Sequence, residues 1–332
     1  MQDPAARRVR RLLHLTGDRK PPRPDESGLR VALTGGSGLV GTSLCPFLSA
    51  LGHEVRRLSR TSRDPAEGLL WNPASGRLSE EASDNLDAVV HLAGANIASS
   101  RWTARRKEVL RESRIGTTHR LCTHLANHPH PPRTLVCASA VGYYGDRGEE
   151  ELKEESQAGA GFLSALCQAW EASTRTASES GIRVVHLRIG VVLAPEGGAL
   201  ARMRLPFRLG LGGPLGSGRQ FISWIGLGDL LRVIAGCVED PTMEGPVNAV
   251  APCPVRSREF ARNLGKTLGR PAVLPVPAFV LKTLLGELGK ELLLSSTRVL
   301  PEVLTQRGFR FFWPTLCEAL EWEFSLASNR CS

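Results

Sequence analysis

A short apolar strand that runs directly into closely spaced glycines constrains the fold of this chain more than any other feature. Residues 30–41 read RVALTGGSGLVG, with glycines at positions 35, 36, 38 and 41. Gly35 allows the chain to turn sharply off the strand, and Gly38 leaves room for a pyrophosphate against bare backbone amides. Gly41 allows the next helix to pack against the strand, and the positive end of that helix faces the phosphates. With Gly36 as an additional glycine, the pattern predicts a dinucleotide-binding turn.

The segments around these glycines supply the rest of a dinucleotide-binding unit. A strand over 30–34, a helix over about 39–51 and a second strand over 54–58 form one βαβ unit of the required size. A glycine triplet alone also occurs in ordinary strand-to-helix turns. The βαβ context is what favours dinucleotide binding over that alternative.

The end of the second strand indicates which dinucleotide would bind. An NAD site places a carboxylate there, about 20 residues beyond the glycines, where it bonds the ribose 2′-hydroxyl. Here the strand is followed by Ser59 and Arg60, and no acidic residue occurs before Asp64. A hydroxyl followed by a guanidinium suits a 2′-phosphate, because arginine binds phosphate through two charge-assisted hydrogen bonds. The sequence therefore predicts NADP(H), with a solvated Arg60 as the alternative.

Composition excludes several classes of protein. The length of 332 residues suits one large α/β domain with a smaller lobe, and the content of 42% hydrophobic and 23% charged residues is typical of a globular protein with a sizeable core. The net charge of +9 is scattered, without an aromatic and basic platform, so we expect a small-molecule substrate and no nucleic-acid partner. No apolar run approaches the ~20 residues that span a bilayer, so we expect no membrane partner. Eight cysteines without C-x-x-C spacing predict no metal site and an intracellular, reducing compartment.

Further along the chain, apolar strands and amphipathic helices alternate. Strands are predicted over 87–92, 134–138 and 183–188, and helices over about 102–127 and 162–180. This alternation predicts an α/β fold, a Rossmann-like doubly wound parallel sheet with helices on both faces. The acidic stretch 148–155 is predicted to be a solvated loop.

Three parts of the chain differ in composition. Residues 1–28 are rich in arginine and proline, and we expect either a disordered extension of a cytoplasmic protein or a weak mitochondrial-matrix targeting segment. Residues 29–250 form the predicted NADP-binding domain. Residues 251–325 have a more helical pattern and form a predicted small C-terminal substrate lobe that closes over the cofactor.

Longer motifs carry a specific resemblance to a known family. They are HLAGANI (91–97), SAVGYYG (139–145), LRIGVVLAPEGGAL (187–200), LPFRLGLGGPLGSGRQFISWI (205–225) and RVLPEVLTQRGFRF (298–311). In this order they resemble the atypical short-chain dehydrogenase/reductases called epimerase family proteins, or the 39U class, which are similar to NAD(P)-dependent epimerases and dehydratases. The resemblance implies an NADP(H)-binding Rossmann-like fold of the extended short-chain dehydrogenase type, with a small C-terminal domain.

By position, the resemblance implies further contacts to the cofactor. Leu92 and Ala93 would line the adenosine ribose through their backbone, at the sheet edge where such folds bind ligands. Glu108 and Arg114 on the long helix would face the cofactor. Val192 would meet the nicotinamide end through its main chain. Exposed helical charges and simple core packing are the alternatives for these residues.

One stretch departs from the family pattern. Most members read W-I-H-I-x-D-L, whereas residues 224–230 of this chain read WIGLGDL. A histidine and a polar position have therefore become Gly226 and Gly228. The departure affects the predicted substrate lobe rather than the cofactor half.

The catalytic pair of the superfamily is missing. Short-chain dehydrogenases use Tyr-x-x-x-Lys to exchange a proton with the substrate oxygen, and a serine to polarise the carbonyl group. Here Leu163 and Cys167 stand at the tyrosine and lysine positions. The remaining candidates are Ser139 as a hydrogen-bond donor and either Tyr143 or Tyr144 as the acid. Capping of a strand end and packing within a loop are their alternative roles.

Two functions from different classes remain open. The first is an NADP(H)-dependent oxidoreductase that acts on an unknown small carbonyl or alcohol substrate without the usual Tyr-x-x-x-Lys pair. The second is a non-catalytic NADP(H)-binding redox sensor or scaffold, which the missing pair favours. A sugar epimerase ranks third, because it needs the proton-shuttling tyrosine and usually retains NAD, which Ser59 and Arg60 disfavour.

Overall fold

The computed structural model describes residues 4–15, 28–60 and 69–327. The strands in these ranges are β1 (Arg30–Thr34), β2 (Glu54–Ser59), β3 (Leu69–Asn72), β4 (Arg77–Leu78), β5 (Ala88–His91), β6 (Thr134–Ala140), β7 (Glu151–Leu152), β8 (Arg183–Ile189), β9 (Val191–Leu193), β10 (Phe221–Ile222), β11 (Trp224–Gly226), β12 (Gly245–Ala249), β13 (Val255–Arg256) and β14 (Arg298–Val299). The α-helices are α1 (Pro4–Leu15), α2 (Gly41–Ala50), α3 (Glu80–Ser83), α4 (Ala104–Arg111), α5 (Thr117–Ala126), α6 (Phe162–Ala172), α7 (Arg175–Glu179), α8 (Gly198–Arg208), α9 (Leu227–Glu239), α10 (Ser257–Leu268), α11 (Ala278–Leu285), α12 (Glu302–Gln306) and α13 (Leu316–Ala327).

Eight strands form one sheet in the order β12-β8-β6-β5-β1-β2-β3-β4. Neighbouring strands run parallel except β3 and β4, which pair antiparallel. The chain builds outward from β1 to β2 and β3, then returns to the other side of β1 and builds outward again from β5. The strand order therefore reverses between β1 and β5, and their carboxyl ends form the crevice in which open α/β sheets bind ligands. The predicted Rossmann-like fold is confirmed, and β3 and β4 add to the predicted elements.

The central strands are apolar on both faces because helices cover both faces of the sheet. On one face, Val31 and Leu33 of β1 pack in a core with residues of α2 and α9. On the other face, Ala32 packs in a second core with residues of α5, α6 and α7. A parallel sheet covered on both sides requires such continuous apolar strands. Apolar and polar residues therefore do not alternate along them.

The predicted long helix is confirmed as one helical segment with an irregular centre. It begins after Thr103, whose hydroxyl accepts a hydrogen bond from the backbone N–H of Arg106 (3.1 Å). Between α4 and α5, residues Glu112–Gly116 form a π-helical turn. Such turns change which side chains share a helix face and often occur at functional sites.

The acidic stretch 148–155 is not a solvated loop throughout, which corrects the prediction. Its β7 pairs in parallel with β14, and Leu152 is fully buried. Glu154 is buried as well. Its Oε1 accepts hydrogen bonds from the backbone N–H groups of Asn248 (3.0 Å) and Val303 (3.3 Å). The carboxylate thus bonds to buried backbone donors from distant parts of the chain. The number of acidic residues in a short stretch does not reveal such partners, which is why the prediction failed.

The prediction of a disordered N-terminal extension is wrong for residues 4–15. They form α1, which packs against α2, α9 and α13. The helix buries one face, at the i, i+3, i+4 and i+7 spacing of an amphipathic helix: Ala5, Arg8, Val9 and Leu12. This apolar stripe is hard to recognise in the sequence, because Arg8, one of the clustered arginines, is part of it. Residues 1–3 and 16–27 lie outside the described residues, and the targeting alternative for 1–28 stays a prediction.

The C-terminal part of the chain is mostly helical, as predicted. One apolar core includes Val247, which precedes the predicted boundary, together with Phe260 and Leu264, which follow it. The core does not break at residue 250. The division into a domain over 29–250 and a lobe over 251–325 therefore stays a prediction.

Candidate functional site

The glycine-rich turn lies at the carboxyl end of β1, in the crevice between β1 and β5. Gly35 has a φ of +73°, and the turn closes with a hydrogen bond from the Gly38 N–H to the Gly35 carbonyl oxygen (2.9 Å). A Cβ atom at position 35 would lie 2.9 Å from the backbone nitrogen of Ala93. Glycine is therefore required here both by the conformation and by the close approach of the two chain segments.

The other glycines of the turn have different surroundings. A Cβ atom at Gly41 would lie 2.3 Å from the Gly35 carbonyl oxygen, so Gly41 allows α2 to begin tight against the turn. At Gly36 the nearest atom would be Arg57 Nε, at 3.2 Å. A Cβ atom at Gly38 would contact only the Gly35 carbonyl oxygen, at 3.2 Å. Gly38 therefore borders open space at the N-terminal end of α2, where backbone N–H groups favour an anion.

Leu92 and Ala93 lie beside this turn. The Leu92 N–H donates to the Thr34 carbonyl oxygen, and the Ala93 N–H donates to Thr34 Oγ1, both at 3.3 Å. The Leu92 carbonyl carbon would lie 2.9 Å from a Cβ atom at Gly35. The ends of β1 and β5 are thus held side by side, and the backbone of Leu92 and Ala93 lines the crevice.

Val192 lies near the residues that contact Leu39 of the turn. It lies in β9, which pairs in parallel with β11. A Cβ atom at Gly198 would lie 3.9 Å from the Val192 carbonyl oxygen and 3.1 Å from the Leu39 side chain. A Cβ atom at Gly197 would lie 2.6 Å from Leu39. Gly197 and Gly198 therefore pack directly against Leu39 of the glycine-rich turn, and the Val192 carbonyl oxygen lies beside Gly198.

Ser59 and Arg60 lie where β2 ends. Ser59 is half-buried and pairs with Leu70 of β3, whereas Arg60 is exposed. Arg60 makes no hydrogen bond or ion pair within the part of the chain that the structure describes. Its guanidinium is therefore available to an anion, and the neighbouring residues 61–68 lie outside the described ranges.

Arg114 and Glu108 differ in position. The Arg114 guanidinium carbon lies 5.1 Å from the Trp170 ring centroid and would lie 3.4 Å from a Cβ atom at Gly94, just beyond β5. Burial lowers the pKa of Arg114 from its ordinary value, and no carboxylate of the described residues forms an ion pair with it. The Glu108 side chain is 71% exposed and lies 3.6 Å from the Arg111 guanidinium. The structure brings Arg114 to the crevice and leaves Glu108 in solvent.

Ser139, at the end of β6, belongs to a buried polar network. Its hydroxyl donates to Glu171 Oε1 (2.7 Å), and the Glu171 carboxylate also accepts two hydrogen bonds from Arg188 (2.9 Å each). Burial alone would lower the pKa of Arg188, but its bonds to Glu171 and a neighbouring tyrosine outweigh burial and raise it. The hydroxyl proton of Ser139 is thus bonded to Glu171, which differs from its predicted role as donor to a substrate oxygen.

The two tyrosines have different environments. Tyr144 is fully buried, and its hydroxyl donates to Asn248 Oδ1 (2.7 Å) and accepts from Arg188 (2.9 Å). Burial raises the pKa of Tyr144 to about 12. The prediction that includes Tyr144 as an acid is corrected, because this hydroxyl cannot contact a substrate. Tyr143 is half-buried, with the Arg188 guanidinium carbon 3.5 Å from its ring centroid, and its hydroxyl bonds to no described residue.

Leu163 and Cys167 of α6 stand beside this network. A Cβ atom at Gly142 would lie 3.3 Å from Leu163 Cβ and 3.9 Å from Cys167 Sγ. Burial raises the pKa of the Cys167 thiol to about 12, so the thiol stays neutral. The nearby cation is instead Arg188, which sequence reasoning missed. An arginine between the apolar residues Leu187 and Ile189 of β8 was the signal for it, because a buried charge needs a specific partner.

The two glycines that depart from the family pattern have different surroundings. A Cβ atom at Gly228 would lie 2.6 Å from Trp313 and 2.9 Å from Leu12 of α1. At Gly226 the nearest atoms would belong to Trp313 and Glu323, at 3.8 Å and 3.9 Å. At Gly228 the space of a side chain is thus occupied by Trp313 and α1, whereas at Gly226 a Cβ atom would make only ordinary contacts.

Within the described ranges, no three metal-ligating side chains cluster as a metal site would require. No helix in these ranges has the length and apolar character needed to cross a bilayer.

Comparison with known families finds two matches. The profile of the NAD dependent epimerase/dehydratase family matches residues 31–248, and that of a domain of unknown function, DUF1731, matches residues 276–323. Epimerase family protein Mb2239 of Mycobacterium bovis is 44% identical over 290 residues, which cover 87% of this chain and 96% of the relative. Human epimerase family protein SDR39U1 is 38% identical over 297 residues, which cover 88% and 99%.

Solved structures are similar over most of the chain. The crystal structure of human epimerase family protein SDR39U1 (isoform 2) with NADPH has a TM-score of 0.82 and 37% identity, covering 90% of this chain and 99% of that one. The UDP-glucose 4-epimerase of Thermus thermophilus in complex with NAD has a TM-score of 0.73 and 20% identity, covering 91% and 100%. The second similarity concerns the fold alone.

Proposed function

The chain belongs to the NAD dependent epimerase/dehydratase family, and from this premise we propose that it is an NADP(H)-dependent oxidoreductase of unusual mechanism. Its substrate is a small carbonyl or alcohol compound. The observation that carries the proposal is the crevice in which the turn at Gly35 meets the backbone of Ala93, with open space beside Gly38. The human relative SDR39U1 was crystallised with NADPH, which supports the same cofactor here.

The residues of the crevice fit such a cofactor. The N–H groups of the turn over 35–41 would hold the pyrophosphate, and Ser59 with Arg60 would hold the adenosine 2′-phosphate. Arg114 is a partly enclosed cation without a carboxylate partner in the described residues, so it would bind phosphate or ribose oxygens. The main chain of Val192 would adjoin the nicotinamide, which supplies a hydride when the cofactor is bound.

Tyr143 would supply the proton. Reduction of a carbonyl group produces an alkoxide that must take up a proton. The Tyr143 hydroxyl has no protein partner among the described residues, and the Arg188 guanidinium lies against its ring. Arg188 is held by Glu171 and would therefore provide the fixed positive charge that a lysine provides in the usual pair.

A non-catalytic NADP(H)-binding sensor or scaffold is the second candidate. Three observations favour it: Leu163 and Cys167 replace the usual pair, Tyr144 is buried, and the Ser139 hydroxyl bonds to Glu171. A protein that only reports NADP(H) needs the crevice and no proton donor. A sugar epimerase is disfavoured by the same missing donor.

Single-turnover oxidation of bound NADPH against a panel of carbonyl compounds separates the two candidates. We expect the parent protein to oxidise NADPH with at least one compound. Tyr143→Phe should slow this step by about 10²-fold while NADPH affinity stays unchanged, because the ring remains against Arg188 and only the proton donor is lost.

Ser139→Ala is the matched control. It removes one buried hydrogen bond to Glu171, so the expected loss in rate is less than about tenfold. A Tyr143→Phe protein with the parental rate would contradict the assignment of the acid. A parent protein that never consumes bound NADPH would favour the sensor.

A further inference from the structure

The helix α1 is attached to the element that carries the glycine-rich turn. Val9 and Leu12 of α1 share one apolar core with Leu44 and Phe47 of α2. A Cβ atom at Gly228 of α9 would lie 2.9 Å from Leu12. The lack of a side chain at Gly228 therefore makes room for Leu12 of α1. The contact between α1 and α9 thus depends on Leu12 of one helix and on Gly228 of the other.

Arg8 lies in the middle of the buried face of α1 and is 1% exposed. One of its Nη atoms donates to Glu323 Oε2 (2.7 Å), and the other donates to Glu196 Oε1. Glu323 is fully buried on α13, and its Oε1 accepts the Leu227 N–H at the start of α9 (3.1 Å). A buried guanidinium requires such compensation. The bond to Glu323 therefore anchors α1 to the C-terminal helices.

The second carboxylate has a different position. Glu196 is about one-third exposed and precedes Gly197 and Gly198 directly. Those two glycines pack against Leu39 of the glycine-rich turn, where Cβ atoms would lie 2.6 Å and 3.1 Å from the leucine side chain. The ion pair between Arg8 and Glu196 therefore holds the residue that directly precedes the two glycines packed against Leu39 of the turn.

We propose that Arg8 is a positioning residue for the dinucleotide site, which it stabilises by holding Glu196 and so residues 192–198 against the glycine-rich turn. Because α1 also packs on α2, the same helix contacts both Glu196 and the helix that follows the turn. This role rests on the proposed function in one respect only, namely that the dinucleotide binds in this crevice. The Arg8–Glu323 bond stabilises the fold, and the Arg8–Glu196 bond orders the site.

The two bonds can be separated by substitution. Glu196→Gln removes the charge next to Gly197 and keeps the side-chain volume, whereas Glu323→Gln does the same at the buried anchor. Arg8→Met removes both bonds. Arg11→Met is the matched control on the same helix, because the exposed Arg11 lies over the Trp322 ring and donates to Ser325 instead. Each variant is tested for melting temperature, for NADPH affinity and for amide hydrogen exchange of residues 192–198 without cofactor.

We expect Glu196→Gln to weaken NADPH binding by about fivefold or more and to speed exchange in 192–198, with little change in melting temperature. Glu323→Gln should lower the melting temperature and leave NADPH affinity nearly unchanged. Arg8→Met should show both effects, and adding Glu196→Gln to it should weaken NADPH binding no further, because the two residues act through one bond. Arg11→Met should match the parent protein.

A merely structural role would make NADPH affinity follow melting temperature across all variants, and that result would overturn the proposal. A folded Glu196→Gln protein with parental affinity and parental exchange would overturn it as well. If the parent protein does not bind NADPH, the proposed function fails. Hydrogen exchange alone then tests whether the Arg8–Glu196 pair orders residues 192–198. Faster exchange of 192–198 in Glu196→Gln and Arg8→Met, but not in Arg11→Met, then supports the link, and unchanged exchange refutes it.

Discussion

His91, at the end of β5, shows how single side chains stabilise the crevice. The ring is fully buried, with Nδ1 2.7 Å from Thr34 Oγ1 and Nε2 3.1 Å from Thr118 Oγ1. Both ring nitrogens have hydroxyl partners, and no carboxylate of the described residues forms an ion pair with the ring. Burial therefore lowers the pKa of His91 to about 4. The neutral ring links β1, β5 and α5 just behind the turn.

This burial makes stability depend on pH. The unfolded chain binds a proton at His91 near pH 6.5, whereas the folded chain does so only near pH 4. Between these values the unfolded state binds more protons, so the free energy of unfolding should fall as the pH falls. From pH 8 to pH 5 the His91 contribution to this loss is about 2 kcal/mol.

Urea unfolding of the parent protein and of His91→Asn at pH 8, 6 and 5 measures this contribution. The variant should be less stable at pH 8, because it cannot bond both threonines, and should lose about 2 kcal/mol less than the parent on acidification. If both proteins lost the same free energy of unfolding between pH 8 and pH 5, His91 would not have the lowered pKa that its burial implies.

At the scale of elements, the glycine-rich turn was predictable because each glycine has a local and mechanical cause. The positive φ of Gly35 and the close approach at Gly41 follow from the path from strand to helix alone. The buried state of Tyr144 was not predictable in this way. Its partners Asn248 and Arg188 come from β12 and β8, far along the chain, and only the assembled sheet edge brings them together.

Two glycines of the turn are expected to differ in role, one in cofactor binding and the other in folding. Gly38→Val should abolish NADPH binding while the melting temperature changes only modestly, because its Cβ would contact only the Gly35 carbonyl oxygen, at 3.2 Å. Gly41→Val is the contrasting variant. Its Cβ would lie 2.3 Å from that backbone oxygen, so the fold should lose about 1–3 kcal/mol. Thermal melting and NADPH titration of both variants check the difference. A Gly38→Val protein that fails to fold would contradict the assignment of Gly38 to binding.

At the scale of the whole molecule, the first and the last of the described helices meet. Arg8 of α1 bonds to Glu323 of α13, and burial raises the pKa of Glu323 to about 7. The sequence predicted the parallel sheet because its apolar runs are local signals. It did not predict that an arginine-rich segment would be part of the core, because Arg8 is buried only in the presence of Glu196 and Glu323, about 190 and 315 residues away.

The central claim is that the assembled crevice binds NADPH and recognises its 2′-phosphate through Arg60. Titration of the parent protein with NADPH and with NADH tests it most directly, with Arg60→Ala as the diagnostic variant. Arg175→Ala serves as control, since Arg175 is an exposed arginine on α7 that pairs with Glu179.

We expect the parent protein to bind NADPH at least about tenfold more tightly than NADH, a difference of roughly 1.4 kcal/mol that one charge-assisted contact can supply. Arg60→Ala should remove most of this preference and leave NADH affinity nearly unchanged, whereas Arg175→Ala should retain it. Identical titration curves for NADPH and NADH on the parent protein would contradict the claim.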